Sequence, residues 1–340
     1  MEDRILEHYL DEFASGSDLP SAEAESLLDA LIGSEDVSLI AGVLSAWNDK
    51  GTSEDEIFAL AQIIRGRMKR IKSQHETFVD AVGTGGSGAK TFNVSTASAF
   101  VISGAGLPVA KHGNRASTSN SGSSDALSEL GVDVDVEPDV SERNLNEYGL
   151  CFMFAPRFHS FSWALAEARR QVGRPTIFNN LGPLCNPASA PHHVIGVWNS
   201  EMLDKTARVL ARLGADHSWI VHAENGLDEI AISGKTHVTE IKDDEITSFE
   251  IAGPDFGVYS LGKGLPSKCT ARKSAGLIHD ILANRLKGTD PERLVLVNAA
   301  AALYVAGRAG DLTEAYKLAE SSIRDGSALA KLDLLRQTDI

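Results

Sequence analysis

Cysteine is scarce in this sequence of 340 residues, and long hydrophobic runs are missing. The three cysteines, Cys151, Cys185 and Cys269, are far apart and show no CxxC spacing, which disfavours both a disulfide framework and a zinc knuckle. No apolar run approaches the ~18 residues that a membrane span requires. The first residues, MEDRILEHYLDEF, are charged where a signal peptide would have an apolar core. We therefore expect a protein of the reducing cytoplasm with no membrane partner.

Basic residues are also scarce, since 32 Lys and Arg stand against 47 Asp and Glu and give a net charge of −15. This balance disfavours broad nucleic-acid binding, which normally needs a basic face. Acidic residues, in turn, are absent between Asp80 and Asp125, a window rich in Gly, Ser, Thr and Asn. The same window contains the basic or titratable residues Lys90, Lys111, His112 and Arg115. Free backbone amides, hydroxyls and cations suit phosphate, so the window predicts an anion site.

Hydrophobic spacing predicts two regions of different architecture. Residues 1–72 have apolar residues at helical spacing in four segments, with Ser53 as the expected N-cap of the fourth. Over residues 73–340, short apolar strands alternate with helices, which is typical of an α/β domain with a mostly parallel central sheet flanked by helices. We expect residues from about 160–190 to add helices to the first region. The predicted strands lie in the segments FVDAV, PVAKHG, VDVDV, CFMFAP, HHVIGVW and SWIVHA.

A glycine-rich segment, VGTGGSGAK, follows the first predicted strand, at the edge where open α/β sheets bind ligands. Gly83, Gly85 and Gly88 fit the dinucleotide pattern G-x-G-x-x-G. That pattern also needs an acid about twenty residues later for the ribose hydroxyls, and residues 104–112 contain none. The ATPase-type loop needs Gly-Lys-Ser/Thr, but Ala89 separates the last glycine from the lysine. The segment therefore predicts a phosphate site of another type, rather than glycines that only form tight turns.

Longer motifs resemble the anthranilate phosphoribosyltransferases, within the nucleoside-phosphorylase-like glycosyltransferase family 3. These motifs are GTGGSGAKTFNVST (83–96), KHGNR (111–115), the segment 119–125, FAP (154–156), TIFNNLGPLCNP (176–187) and GLDEI (226–230). Together with the N-terminal helices and the late segment VNAAAALYVAG, the resemblance covers nearly the whole chain.

The resemblance implies a reaction of tryptophan biosynthesis. The 5-phosphoribosyl group of phosphoribosyl pyrophosphate is transferred to the amine of anthranilate, which gives N-(5-phosphoribosyl)anthranilate and pyrophosphate. Such a transfer passes through an oxocarbenium-like sugar, so the main requirement is to stabilise the departing pyrophosphate with fixed donors and metal ions. We therefore expect Mg²⁺ as cofactor and no catalytic acid, base or nucleophile.

The resemblance also implies three groups of site residues. The donor would be bound by Gly83, Thr84, Gly85, Gly86, Ser87, Thr91, Asn93, Ser95, Thr96, Lys111 and Ser119. Anthranilate would be bound by Gly83, His112, Asn114, Arg169, Gly182 and Pro183. Magnesium, which prefers hard oxygen ligands, would be held by Ser95, Asp228 and Glu229.

Simpler structural roles stay open for several of these residues. An Asp-Glu dipeptide is usually a solvated surface pair, and Ser95 and Ser119 could cap helices. His112 could be a satisfied core histidine. The acceptor arginine could be Arg170 instead of its neighbour Arg169.

Four features depart from the family pattern. Ser87 stands where the family usually has an acid, and Asn120 stands where it commonly has a lysine. A late Gly-Gly…Glu-Asn-Ala segment is not recognisable in residues 262–275. The usual paired histidines after FAP are replaced by Phe158 and His159, which precede the bulky Phe161 and Trp163.

These departures keep other functions open. One is a paralogue that uses a different aromatic amine, and another is a nucleoside phosphorylase. A third is a non-catalytic nucleic-acid-binding relative, which the net charge and the retained Asp228-Glu229 pair oppose. By the same resemblance we expect a homodimer that forms through the helical region.

Overall fold

A computed structural model describes residues 1–89, 91–115 and 121–337 of the chain. The N-terminal helices lie at Glu2–Ser15 (α1), Ala24–Gly33 (α2), Val37–Lys50 (α3) and Glu54–Arg67 (α4), with a short 3-10 helix at Ser21–Glu23. The predicted cap of α4 is confirmed, because the Ser53 hydroxyl accepts from the Glu56 amide at 3.2 Å. The Glu56 carboxylate in turn accepts from the Ser53 amide at 2.7 Å.

A central sheet follows the helical region. Its strands are Val79–Gly83 (β1), Val109–Gly113 (β2), Leu150–Phe154 (β3), His192–Gly196 (β4), Ser218–Ala223 (β5), Lys235–Lys242 (β6) and Glu245–Ala252 (β7). Their order in the sheet is β3-β2-β1-β4-β5-β6-β7. The five strands β1 to β5 pair in parallel, while β6 and β7 extend one edge as an antiparallel hairpin. The predicted mostly parallel sheet is therefore confirmed.

Helices cover both faces of this sheet. The later helices are Val94–Gly104 (α5), Ser123–Glu129 (α6), Pro138–Tyr148 (α7), Ala155–Phe158 (α8), Trp163–Val172 (α9), Ile177–Leu184 (α10), Met202–Arg212 (α11), Ala271–Leu282 (α12), Asp290–Val305 (α13), Leu312–Arg324 (α14) and Ser327–Arg336 (α15). A second 3-10 helix lies at Gly253–Phe256. None of the helices in the described ranges is long and apolar enough to cross a membrane.

Two large apolar cores form because strand side chains alternate between the faces. Val79 and Ala81 of β1 join the core that contains α5 and α13, whereas Ile195 of β4 joins the core of the N-terminal helices. Helices α9 and α10 pack in that second core against α3 and α4. The assignment of residues from about 160–190 to the helical domain and the boundary near residue 72 stay predictions.

The strand predictions differ from the structure at two places, one predicted strand that is absent and one hairpin that was not predicted. The segment VDVDV at residues 132–136 is not a strand. Val132 and Val134 are buried, whereas Asp133 and Asp135 are exposed, so the alternation marks one buried face of an extended segment without ladder pairing. Strands β6 and β7 were not predicted, and most of β7 is exposed, so it has no apolar alternation to signal a strand.

Close backbone packing joins the ends of β1 and β4 to the loop that carries Asp228. Gly83 and Gly196, the last residues of these strands, lie opposite each other in the parallel register. A Cβ on Gly83 would lie 2.7 Å from Oδ2 of Asp228, and one on Gly196 would lie 1.7 Å from its carbonyl oxygen. Glycine is required at the end of β4, where the neighbour is backbone, and a side chain at Gly83 would have to displace the Asp228 carboxylate.

We expect Gly196→Ala to destabilise the protein, because the new methyl group and the Asp228 backbone cannot occupy the same space. The free energy of unfolding, measured by urea denaturation, should fall by about 1–3 kcal/mol, as for other overpacked sites. The matched control is Gly276→Ala in α12, where nothing lies within 4 Å of the added Cβ. That control should be neutral or stabilising by up to ~1 kcal/mol. Equal stability of the two variants would contradict the close packing described here.

Candidate active site

A cavity of about 450 Å³ opens at the carboxyl ends of β1 and β2. It brings together most of the predicted site residues, namely Gly83, Thr84, Gly85, Gly86, Ser87, Thr91, Asn93, Ser95, Lys111, His112, Asn114, Arg169, Asp228 and Glu229. Three positions discussed from the sequence, Lys90, Ser119 and Asn120, lie outside the described residues. Their predicted features therefore have no structural account.

The glycine loop, defined as residues 83–88, forms one wall of the cavity. Gly85 and Gly86 have φ values of 67° and 83°, a region that L side chains rarely adopt. A Cβ on Gly86 would also lie 2.4 Å from Cγ of Pro175. Thr84 fixes the start of the loop, because its amide and hydroxyl both donate to the carbonyl of Gly196, at 2.8 and 3.1 Å. These constraints keep bare backbone at the cavity wall.

Helix α5 begins at the cavity and directs its N-terminus toward the same wall. Ser95 lies in its first turn and lines the cavity. Asn93 precedes the helix, and its side-chain oxygen accepts from the hydroxyls of Ser121 at 2.8 Å and Ser274 at 2.7 Å. Thr96 is fully buried behind the wall and is not among the lining residues. The free amides of a helix N-terminus attract anions, so this placement suits a phosphate group.

Lys111 places a buried cation at the floor of the cavity. The residue is 2% exposed, and its ammonium group donates to the carbonyl of Ala81 at 2.6 Å. Beneath it lies Asp80, where burial raises the carboxyl pKa to about 6 although Lys111 and Asn186 favour the charged form. Asn186 donates to Asp80 Oδ2 at 2.7 Å. The Ala81 carbonyl and the Asp80 carboxylate thus stabilise the ammonium charge of Lys111 beside the glycine loop.

His112 belongs to a chain of neutral, hydrogen-bonded groups. Its Nδ1 lies 3.0 Å from the carbonyl of Gly182, which can only accept, so this nitrogen carries the proton. Its bare Nε2 lies 3.2 Å from Nε2 of His159, which must therefore be the donor. Burial lowers the pKa of His112 from its ordinary 6.5 to about 3 and that of His159 to about 4. Gly182 does not line the cavity, but its carbonyl holds the His112 ring that does. Pro183 is buried within α10 and does not line the cavity either.

Arg169 is the cation of the opposite wall. Its Nε is buried without a hydrogen-bond partner, and burial alone lowers the guanidinium pKa to about 10. No carboxylate of the described residues pairs with it, and its Nη2 donates to Asn179 Oδ1 at 3.5 Å. The guanidinium also lies 5.5 Å from the ring centroid of Phe178. A half-buried guanidinium without an acidic partner among the described residues suits a carboxylate from a ligand.

The neighbouring arginine has a different environment. Arg170 is exposed and forms an ion pair with Glu167 of the same helix. It is not among the residues that line the cavity, whereas Arg169 is. The geometry therefore favours Arg169 over its neighbour as the acceptor arginine, although both were open from the sequence.

Asp228 and Glu229 line the cavity from the acid loop, defined as residues 224–229. Asp228 is 5% exposed, and its Oδ2 accepts from the Gly85 amide at 3.2 Å. No cluster of three or more His, Cys, Asp or Glu in the described part of the chain could hold a metal by itself. Two carboxylates beside a phosphate cradle instead fit Mg²⁺, which binds through one or two carboxylates and completes its shell with substrate phosphates and water.

Several cavity residues were missed from the sequence. Asn179 bridges the two walls, because its Nδ2 donates to the Thr84 carbonyl at 3.1 Å while its Oδ1 faces Arg169. Lys268 and Cys269 line the cavity from the segment that departs from the family pattern. The only available signal was membership of Asn179 in the motif TIFNNLGPLCNP. No periodicity or spacing marked the other two.

Comparison with known proteins identifies the family. The family model described as "Glycosyl transferase family, a/b domain" matches residues 75–329. An anthranilate phosphoribosyltransferase of Anaeromyxobacter sp. (strain Fw109-5) is 41% identical over 329 residues, which cover 96% of this chain and 97% of the relative. This chain belongs to the anthranilate phosphoribosyltransferase family. The predicted family and the predicted enzyme class, a glycosyltransferase, are therefore confirmed.

Solved anthranilate phosphoribosyltransferases share the fold over nearly the full length. The crystal structure from Thermus thermophilus has a TM-score of 0.87 and 33% identity, over 97% of this chain and 98% of that one. The Saccharomyces cerevisiae protein in complex with PRPP and Mg has a TM-score of 0.87 and 27% identity, covering 98% of both chains. The same yeast protein in complex with 4-fluoroanthranilate has a TM-score of 0.85 and 25% identity, over 99% of this chain and 98% of that one.

The lowered histidine pKa values in this anthranilate phosphoribosyltransferase family member predict acid sensitivity. The unfolded chain binds a proton at each histidine below about pH 6.5, whereas folded His159 binds one only near pH 4. Stability should therefore fall on acidification from pH 6.5 to 4, by up to about 1.4 kcal/mol per pH unit for each such histidine.

His159→Asn should flatten this dependence relative to the wild type, because one of the buried neutral imidazoles is removed. Urea denaturation at half-unit pH steps gives the slope of the unfolding free energy in both proteins. The interval from pH 7 to 8, where both histidines are neutral in either state, provides the internal control. Parallel profiles of the two proteins between pH 6.5 and 4 would contradict the burial of a neutral His159.

Proposed function

We propose that this chain transfers the 5-phosphoribosyl group of phosphoribosyl pyrophosphate to anthranilate, with release of pyrophosphate. The observation that carries this proposal is the cavity itself. The glycine loop and the acid loop meet there with a half-buried arginine, Arg169, that has no acidic partner among the described residues. The diphosphate of the donor would bind at the two loops, and the carboxylate of the acceptor would bind at the arginine in the same cavity.

The donor side supplies groups for a departing pyrophosphate. Backbone amides of the glycine loop and the N-terminus of α5 would donate to the phosphate oxygens, together with the cation of Lys111. Ser95, Asp228 and Glu229 would hold Mg²⁺, which when bound neutralises charge on the diphosphate. Because these donors are fixed before the reaction, they stabilise the charge that develops as the C1–O bond breaks.

The acceptor side would orient anthranilate through its carboxylate. Arg169 would bind this group, and Asn179 links the arginine to the glycine loop through Thr84. His112 and Asn114 line the same cavity, and His112 contributes no charge because it is neutral. The aromatic amine keeps its lone pair at neutral pH, so its orientation toward C1 of the sugar is the main requirement. We assign no residue as acid, base or nucleophile.

Other parts of the interpretation stay predictions. These are a homodimer formed through residues 1–72, which sedimentation of the purified chain would measure, and the domain boundary near residue 72. The cytoplasmic location is also a prediction. All three cysteines are buried and unpaired, which is compatible with a reducing compartment.

We expect the purified chain to convert anthranilate and phosphoribosyl pyrophosphate in the presence of Mg²⁺, with one pyrophosphate released per anthranilate consumed. The measurement is a steady-state assay with anthranilate, 3-aminobenzoate and 4-aminobenzoate in parallel, each repeated with excess chelator. Chelation should abolish turnover. Activity on another amine with none on anthranilate would contradict the proposed acceptor, and phosphate-dependent release of base from a nucleoside would favour a phosphorylase.

Arg169→Ala should weaken acceptor binding more than donor binding. Loss of a charge-assisted bond predicts a roughly 10- to 100-fold higher KM for anthranilate, with a change below about threefold for the donor. Arg170→Ala is the matched control, because this exposed neighbour pairs with Glu167 outside the cavity. A larger effect of Arg170→Ala, or a donor KM that rises more than the acceptor KM, would contradict the assignment.

A further inference from the structure

The glycine loop and the acid loop are tied together at two polar contacts. The hydroxyl of Ser87 donates to the carbonyl of Gly226 at 2.6 Å. The amide of Gly85 donates to Oδ2 of Asp228 at 3.2 Å. The first contact uses the side chain of Ser87, whereas the second uses the carboxylate of Asp228 itself. Removing the Ser87 hydroxyl therefore breaks a contact between the two loops and leaves both carboxylates of the acid loop in place.

Both hydrogen-bonding capacities of the Ser87 hydroxyl are used at this point. Besides donating to Gly226, its oxygen accepts from the amide of Ala89 at 3.2 Å. The Gly226 carbonyl is held in place, because the amide of the same residue donates to the Ala223 carbonyl at 2.8 Å in a turn with φ of 83°. Ala89 also packs against the small apolar cluster that includes Leu227. The hydroxyl thus joins two ordered turns.

We propose that Ser87 is a positioning residue that holds the acid loop where its two carboxylates face the bound diphosphate. This inference rests on the proposed function, since it assumes that Asp228 and Glu229 hold Mg²⁺ on the donor. Gly226 lies two residues before Asp228, so a shift of its carbonyl is transmitted directly to the metal-binding carboxylate. The close fit of Asp228 against Gly83 and Gly196 leaves little room for compensation on the strand side.

The chemistry of this contact accounts for the departure from the family pattern at residue 87. The Gly226 carbonyl can only accept, and an ionised carboxylate at position 87 has no proton to donate. In this chain the acid that is usual in the family therefore cannot make this contact, although it matches the family motif.

The test measures metal binding directly. Mn²⁺ replaces Mg²⁺, and electron paramagnetic resonance counts the free aqua ion during titration with phosphoribosyl pyrophosphate, without anthranilate. Protein-bound Mn²⁺ is the difference between this titration with and without protein, because the donor itself binds Mn²⁺. Loss of one hydrogen bond in Ser87→Ala predicts a roughly three- to tenfold weaker Mn²⁺ affinity. Ser87→Thr keeps the hydroxyl and should stay within about twofold of the wild type.

The matched control is Ser128→Ala in α6, whose hydroxyl donates to a backbone carbonyl of its own helix at 3.0 Å and does not line the cavity. Its Mn²⁺ affinity should equal that of the wild type. Thermal unfolding of each variant separates loss of metal binding from loss of fold. Wild-type protein that takes up no Mn²⁺ with the donor would contradict both the proposed function and this inference. Equal Mn²⁺ affinity in the wild type and Ser87→Ala would contradict the inference alone.

Discussion

The close packing of Asp228 against the ends of β1 and β4 is the constraint on which the rest of the site depends. Gly83 and Gly196 end these strands, and neither position has room for a Cβ. The strand that leads to Asp228, β5, lies beside β4, so sheet pairing brings the acid loop to the glycine loop. The carboxylates proposed to bind the metal and the glycine loop proposed to bind phosphate are therefore placed together by the sheet and not by loops alone.

Charge distribution explains how an acidic chain can receive two anions. The glycine loop and the start of α5 contain no carboxylate, and the carboxylates that face them would act through a metal ion. Two cations, Lys111 and Arg169, lie at different walls of the cavity, where burial costs desolvation energy. For Arg169 this cost appears as a guanidinium pKa lowered to about 10. A bound carboxylate would offset it, because the buried charge would then have a partner.

The uncharged state of two histidines, His112 and His159, distinguishes the side of the cavity proposed for the acceptor. The chain from Gly182 through His112 to His159 fixes one tautomer for each ring, and burial keeps both rings uncharged near neutral pH. Arg169 is then the charged group that can select a carboxylate at this wall. Phe161, which stacks on His159 at a centroid distance of 5.7 Å, extends this neutral surface.

The sequence predicted the helical region, the parallel strands and the family, because periodicity and long motifs are local properties of the chain. It failed where local pattern and tertiary pairing diverge, as in VDVDV, which is extended without a sheet neighbour. It also missed the hairpin of β6 and β7, in which the mostly exposed β7 has no apolar alternation. In the site, motifs nominated Asp228 and Arg169, but the bridge through Asn179 and the role of Ser87 depend on contacts between distant segments. No local pattern contains such contacts.

The central claim is that one cavity binds the diphosphate of the donor at the glycine loop and the carboxylate of the acceptor at Arg169. A crystal structure with phosphoribosyl pyrophosphate, Mg²⁺ and salicylate tests it most directly, because salicylate has the carboxylate but no amine to react. The account predicts the diphosphate within hydrogen-bonding distance of the Gly83–Ser87 backbone, the metal on Asp228 and Glu229, and the salicylate carboxylate on Arg169. A diphosphate bound away from the glycine loop, or a salicylate carboxylate without contact to Arg169, would contradict it.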